Sequence, residues 1–230
     1  MSQTLSVDFN KPIRLFPLAK CILLPHATVP LHIYEPRYRA MVRDALDSDG
    51  LIAMATFDGS DYQHDYEGCP PIRSCVCVGY IVHHERLPDG RYNMLLQGIA
   101  RAHIQEELEP TDDGYRNAIL RPTEQDVMEI DLESQRHRLE MTLSDPYLRQ
   151  LSSIRNIGSW MSPEVPTPAA VDLAWQAASR DSEQRYDMLD EPCVFKRFEK
   201  LERYLAQTRR SLVIADHMGP CTSETGLPLN

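Results

Sequence analysis

Residues 29–42 read Val29-Pro30-Leu31-His32-Ile33-Tyr34-Glu35-Pro36-Arg37-Tyr38-Arg39-Ala40-Met41-Val42, and the change of period inside them decides the fold class. Val29, Leu31 and Ile33 alternate, which is the period of a half-buried strand. Pro30 puts that strand at a start or a sheet edge, because proline has no N–H to give to a ladder. Pro36 then suits the first position of a helix, and Glu35 complements the positive end of the helix dipole. Tyr38, Met41, Val42, Ala45 and Leu46 fall on one helical stripe, which Asp49-Gly50 stops.

Working outward, more short strands appear. Ile13-Arg14-Leu15-Phe16 reads as a strand closed by Pro17, and residues 51–57 form an apolar run closed by Asp58-Gly59. Residues 74–82 read as a strand with Cys75 and Cys77 on one face and Val76 and Val78 on the other. The turn Pro88-Asp89-Gly90 joins it to residues 92–96 as a β-hairpin. Residues 101–105 and 115–120 read as two further strands around Asp112-Asp113-Gly114. Many short strands with one early helix predict a small, partly closed barrel over residues 11–122.

The second half has helical texture. Residues 124–141 read as a helix, Ser144-Asp145-Pro146 as a break and restart, and 162–168 as a proline loop. Thr167-Pro168 opens a helix containing Val171, Leu173, Ala174, Trp175, Ala177 and Ala178. A short helix covers 184–189, and Glu191-Pro192 opens a last one with Val194, Phe195, Phe198, Leu201, Tyr204 and Leu205. Trp160 and Trp175 read as helix-packing residues. The expected layout is a tail (1–10), the barrel (11–122), a helical bundle (123–212) and a flexible tail (213–230), an α+β fold.

Composition narrows the function. The chain has 230 residues, 42% hydrophobic and 25% charged, which excludes wholesale disorder and fibrous classes. A net charge of −10, spread over both halves, repels phosphate backbones and anionic lipid, so neither nucleic acid nor membrane is expected as a partner. The start has no basic and apolar signal, no apolar stretch approaches the ~20 residues of a membrane span, and six scattered cysteines fit reduced thiols; together these predict a cytoplasmic protein. No P-loop, G-x-S-x-G, H-E-x-x-H or G-x-G-x-x-G is present.

Cys69, Cys75 and Cys77 with His83-His84-Glu85 invite a soft-metal reading, but structural zinc sites use C-x₂-C pairs at turns, so buried thiols are the expectation. The acidic pairs Glu106-Glu107 and Asp112-Asp113 read as solvated edges. No catalytic residue, metal or cofactor is assigned.

One family is similar. Ile13-Arg14-Leu15-Phe16-Pro17-Leu18, Leu23-Leu24-Pro25, then Pro30-Leu31-His32-Ile33-Tyr34-Glu35-Pro36-Arg37-Tyr38 and Met41-Val42 resemble the N-terminal domain of the Lon protease family, with Tyr34 where phenylalanine is usual. Gly79-Tyr80-Ile81, residues 87–92 and Leu96-Gln97-Gly98-Ile99-Ala100-Arg101-Ala102-His103-Ile104 continue the likeness. Gln184, Leu189-Asp190, Val194 and Arg197-Phe198-Glu199-Lys200-Leu201 extend it to about residue 207. The resemblance implies a PUA-like barrel followed by a helical bundle, and a part of the protease that recognises unfolded or tagged segments for an ATPase ring. Neither an ATPase nor a protease module fits beside those two parts in this length, so the expected function is a non-catalytic module for unfolded or extended polypeptide, with a protease or chaperone as a further partner.

The candidate binding residues are Ile33, Tyr34, Glu35, Arg37, Phe57, Tyr80, Tyr92 and Arg101. Glu35 and Arg37 flank Pro36 and read as binding backbone groups or each other, Gly98 as a bend or bulge, and Arg101 as pairing with a carboxylate at the barrel end. The alternatives are an adaptor docking on a separate protease or chaperone through the acidic helical half, an enzyme with a dispersed site (Cys69 with His64, or Cys75 with His83), and RNA binding, which the charge opposes. The oligomeric state stays open.

Overall fold

The computed structural model describes residues 6–59, 69–123, 131–159, 162 and 164–218. Six strands, β1 (Ile13–Leu18), β2 (Thr28–Ile33), β3 (Leu51–Thr56), β4 (Cys75–Arg86), β5 (Tyr92–Glu107) and β6 (Arg116–Pro122), form one sheet in the order β2-β5-β4-β3-β1-β6. A further β5–β6 pairing closes five of them into a ring and leaves β2 outside, along the first half of β5. Among the described strands only β1 and β3 pair in parallel, and helix α1 (Pro36–Leu46) lies in their crossover.

The ring interior is lined by Leu15, Ala53, Ala55, Val76, Val78, Ala102, Ala118 and Leu120; such small side chains suit so narrow a barrel. The opposite face of the same strands presents Phe16, Ile52, Met54, Cys75, Cys77 and Leu96 to the stripe Tyr38, Met41, Val42, Ala45 of α1 and to the C-terminal helices. Strand β3 is buried on both faces, which explains its unbroken apolar run.

Two strand boundaries differ from the sequence reading. Pro17 does not close β1 but lies inside it, opposite Ala55; β6 pairs with β1 only through Leu15, so no ladder bond on that side needs a Pro17 N–H. Pro30 lies on an edge strand, as its missing donor requires. The two strands expected at 92–96 and 101–105 are one continuous strand, β5, whose register shifts between Gly98 and Ala100, with Ile99 as the extra residue. Gly98 is required there by contact: a Cβ would lie 2.4 Å from the Leu24 carbonyl oxygen. Its N–H donates to the Ala27 carbonyl (2.9 Å) and its carbonyl accepts from the His26 N–H (2.8 Å), latching the turn in which His26 has φ +68°.

The second half contains α2 (Glu133–Leu143), α3 (Ser152–Arg155), α4 (Thr167–Ala178), α5 (Ser182–Asp190) and α6 (Val194–Met218), with 3₁₀ turns at Leu148–Gln150 and Asn156–Ser159. The helix expected over 124–141 begins at Glu133 among the described residues; 124–130 and Trp160 lie outside them. Trp175 is buried, with its ring 5.1 Å from that of Tyr204. The last helix runs to Met218, past the boundary expected at 212. The Asp181 side chain caps α5 by accepting from the N–H groups of Glu183 and Gln184. One apolar cluster runs from the outer barrel face through Leu139, Leu148, Trp175, Tyr186, Phe198 and Leu201, so barrel and bundle share a core.

That junction contains three buried charges. Arg101 of β5 forks onto Asp172 of α4, at 2.7 and 2.9 Å, and Arg197 of α6 approaches the same carboxylate at 3.2 Å. Each of the three side chains is about 1% exposed. Sequence reading placed Arg101 beside a carboxylate, and Asp172 is that carboxylate.

Two stability outcomes are expected. Asp172→Ala leaves two buried cations without their shared carboxylate and should cost about 3–5 kcal/mol in urea unfolding, the scale of a broken buried pair; a loss below about 1 kcal/mol would show that the triad does not hold the junction. Gly98→Ala forces its Cβ onto the Leu24 carbonyl and should cost about 1–3 kcal/mol, the range for overpacking, with the loss read from the same curves.

Candidate functional site

The exposed face of the sheet lies where β2, β5 and β4 run side by side. The ladder registers put Pro30, Leu95 and His83 in one row and His32, Asn93 and Glu85 in the next, all solvent-exposed. A second register shift bulges Val82 out of β4, between Ile81 and His83. Leu95 is 37% exposed, Val82 44% and Tyr34 62%, so this region holds three of the larger apolar side chains left in water. Pro30, Leu31, Met94 and Leu95 make mostly apolar walls for a shallow depression of about 420 Å³.

A polar line borders the apolar row. Arg91 Nη1 lies 3.3 Å from His32 Nε2, and because a guanidinium can only donate, Nε2 accepts. The ring proton then sits on Nδ1 and is donated to Asn93 Oδ1 at 2.7 Å. Asn93 Nδ2 in turn donates to Glu85 Oε2 at 3.4 Å. Asp89 Oδ2 holds Arg91 Nε at 2.6 Å, and the Arg91 backbone N–H, ahead of that side chain, keeps the Asp89 carboxyl below its ordinary pKa. The Tyr34 ring stacks beside His32 with centroids 6.4 Å apart.

Among the described residues β2 pairs with β5 alone, so its outer edge carries no strand partner. An apolar row, a fixed polar row and an open strand edge together can take an extended chain, with backbone groups on the edge and side chains in the depression.

Two other depressions are lined by paired charges. A hollow of about 540 Å³ near the ends of β5 and β6 has Arg116 in its wall, bonded to Glu107 and to the Pro70 carbonyl (2.7 Å). One of about 560 Å³ between α2 and α6 contains the Arg209–Asp145 pair, at 2.6 Å, beside the exposed Met141.

The structure separates the candidate residues chosen from sequence. Tyr34 lies on the exposed face. Ile33, its neighbour, points the other way and is buried, as are Phe57 and Tyr92, while Tyr80 is half-buried under Gly50. Arg101 is enclosed at the barrel–bundle junction, so these side chains are packing residues rather than surface contacts. Glu35 and Arg37 pair with each other at 3.1 Å, and Arg37 covers the Tyr38 ring at 4.9 Å.

The proposed pair of Cys75 and His83 is not formed: the two stand eight residues apart on one strand, roughly 26 Å at ~3.3 Å per residue. Cys75 and Cys77 stand six to ten residues from His83-His84-Glu85 along the same strand, and those thiols face the core. Burial pushes the Cys77 thiol up to about 12. His64, offered as a partner for Cys69, lies outside the described residues. Sequence reading missed Pro30, Val82, Asn93 and Leu95. The signal was present in Met94-Leu95-Leu96, where two adjacent leucines must point to opposite faces of one strand.

Comparison with known proteins places the chain in a family. Residues 12–207 match the model of the ATP-dependent protease La (LON) substrate-binding domain. The chain is 31% identical over 152 residues to a Lon protease of Geobacter metallireducens and 28% identical over 157 residues to one of Trichlorobacter lovleyi. Each alignment covers 66% of this chain, and the chain spans about 17% of the length of those relatives. Among solved structures, the N-terminal domain of a Mycobacterium avium complex Lon protease superposes with a TM-score of 0.65 at 16% identity, covering 85% of this chain and 98% of that one. A Lon N-terminal domain protein from Xanthomonas campestris superposes with a TM-score of 0.55 at 21% identity, covering 84% and 98%. The two solved structures share the α+β fold, and the family match covers both barrel and bundle: this chain belongs to the Lon substrate-binding domain family.

Proposed function

We propose that this chain is a non-catalytic module that holds extended or unfolded polypeptide segments, on the face formed by β2, β5 and β4. The observation that carries the reading is the exposed row of Pro30, Leu95 and His83, with the bulged Val82 next to it, beside a β2 edge that has no strand partner among the described residues. A ligand strand added to β2 would take its main-chain hydrogen bonds there while its alternate side chains reach the apolar row. Membership of a substrate-binding family supports this role over catalysis. The cytoplasm is the proposed compartment; no described helix is long and apolar enough to cross a membrane. Docking on a separate protease or chaperone is the second reading, favoured by the exposed Met141 and the exposed Ile214 and Met218 at the end of α6.

Reduced, carboxymethylated lactalbumin is a suitable probe, with the folded protein as control. Binding to the unfolded form alone is expected, weakened at least about tenfold (~1.4 kcal/mol) by Leu95→Asp or Tyr34→Ser. Both residues lie at the surface, so the unfolding free energy should stay within about 0.5 kcal/mol of wild type. Absence of binding, or binding indifferent to both substitutions, rejects this face as the site.

A further inference from the structure

Strands β4 and β5 bring Cys75 and His103 directly opposite one another in the ladder, on the side that meets the bundle. Asp190, the last residue of α5, comes over them. The Cys75 sulfur, a His103 ring nitrogen and an Asp190 carboxylate oxygen lie within 4.8 Å of one another. Cys75 is 1% exposed, His103 is half-buried and Asp190 is exposed, so a thiol forms the floor and a carboxylate the mouth. The floor is fixed, because the Cys75 N–H donates to Tyr186 Oη at 2.9 Å.

We propose that Cys75, His103 and Asp190 form a binding site for a thiophilic divalent cation, Zn²⁺ foremost, with water in the fourth position. Sulfur and imidazole donors select such ions over Mg²⁺ and Ca²⁺, which take oxygen. Zinc bonds of about 2.3 Å to sulfur and about 2.0–2.2 Å to nitrogen and oxygen place tetrahedral ligand atoms roughly 3.3–3.6 Å apart. The ligand atoms therefore draw together by up to about 1.2–1.5 Å on loading, through rotation of the solvent-reaching His103 and Asp190. Thiolate and carboxylate together balance the charge of the ion. The neighbouring Arg101 is already engaged by Asp172 at 2.7 Å.

Binding exchanges a proton for the metal: the Cys75 S–H bond breaks, an S–metal bond forms and the proton passes to solvent, with no change of oxidation state. Burial raises the Cys75 thiol pKa, so the proton competes with the ion and uptake strengthens as pH rises. The ion would add a link between β4, β5 and α5.

Cobalt(II) added to the whole metal-stripped chain is the test. One equivalent should give thiolate-to-cobalt absorption in the near ultraviolet and the visible bands of a tetrahedral site, and Zn²⁺ should bleach both and raise the unfolding midpoint. Cys75→Ser should abolish the near-ultraviolet band. Should that buried substitution unfold the chain, His103→Gln and Asp190→Asn keep the test open: each should weaken cobalt binding at least about tenfold, since even partners outside the ligand set cost 10–100-fold. Cys193→Ser, outside the cluster, should leave it unchanged. No sulfur–cobalt band in the wild type, or a band undiminished in both His103→Gln and Asp190→Asn, overturns the proposal.

Discussion

The fold depends on one buried carboxylate. Asp172 receives the forked guanidinium of Arg101 from the barrel and lies 3.2 Å from Arg197 of the last helix. Two cations against one anion leave a net positive charge in the core, and backbone carbonyls offset it. Arg101 reaches the Met188 and Leu189 carbonyls at 3.4 and 3.1 Å, and Arg197 reaches those of Glu191 and Pro192 at 2.9 and 2.8 Å. Met188 and Leu189 end α5, where carbonyls have no intrahelical donor and the helix dipole is negative, so the arginines satisfy groups that would otherwise be buried unpaired. The two arginines differ. Burial lowers the pKa of both, but attraction to Asp172 and its hydrogen bonds carry Arg101 above its ordinary value, while for Arg197 burial prevails. A buried ion cluster adds little net stability over an apolar replacement; its effect here is to allow one placement of β5 against α4, α5 and α6.

Arg101 meets Asp172 only because of the bulge at Ile99. Before it, the even-numbered Met94 and Leu96 face the shared core. After it, the even-numbered Ala102 faces the ring interior, and the odd-numbered Arg101 and His103 pair with Cys77 and Cys75, which face the bundle. One extra residue moves every later side chain to the other face of a strand. Unbroken alternation from Tyr92 would have put Arg101 inside the barrel, where a ring already filled by Leu15, Leu120, alanines and valines has no room for it.

That switch explains what was legible in the sequence. The strand-to-helix passage at 29–46 was, because period, proline placement and the Gly50 stop all act within a few residues. So was the division of Cys75 and Cys77 from Val76 and Val78. The continuity of β5 was not: Gly98 marked a bend, but whether the chain turns there or bulges depends on the Leu24–Ala27 turn closing over it, a contact between distant residues. Candidate contacts chosen for aromatic character went to the core, since Tyr92 and Phe57 occupy inward positions. Choice by face would have kept Tyr34 and added Leu95.

The bulge also divides the work of β5. Below it the strand pairs with β6 and is joined to the bundle through Arg101, with His103 beside Cys75. Above it the strand pairs with β2 and turns Asn93 and Leu95 to water. The helices cover the lower half through the shared apolar core, with the ion cluster fixing their placement, and on the other side of the register change an apolar row is exposed. A continuous alternation would have allowed either a barrel anchored to its bundle or a strand with an open outer face, but not both along one strand.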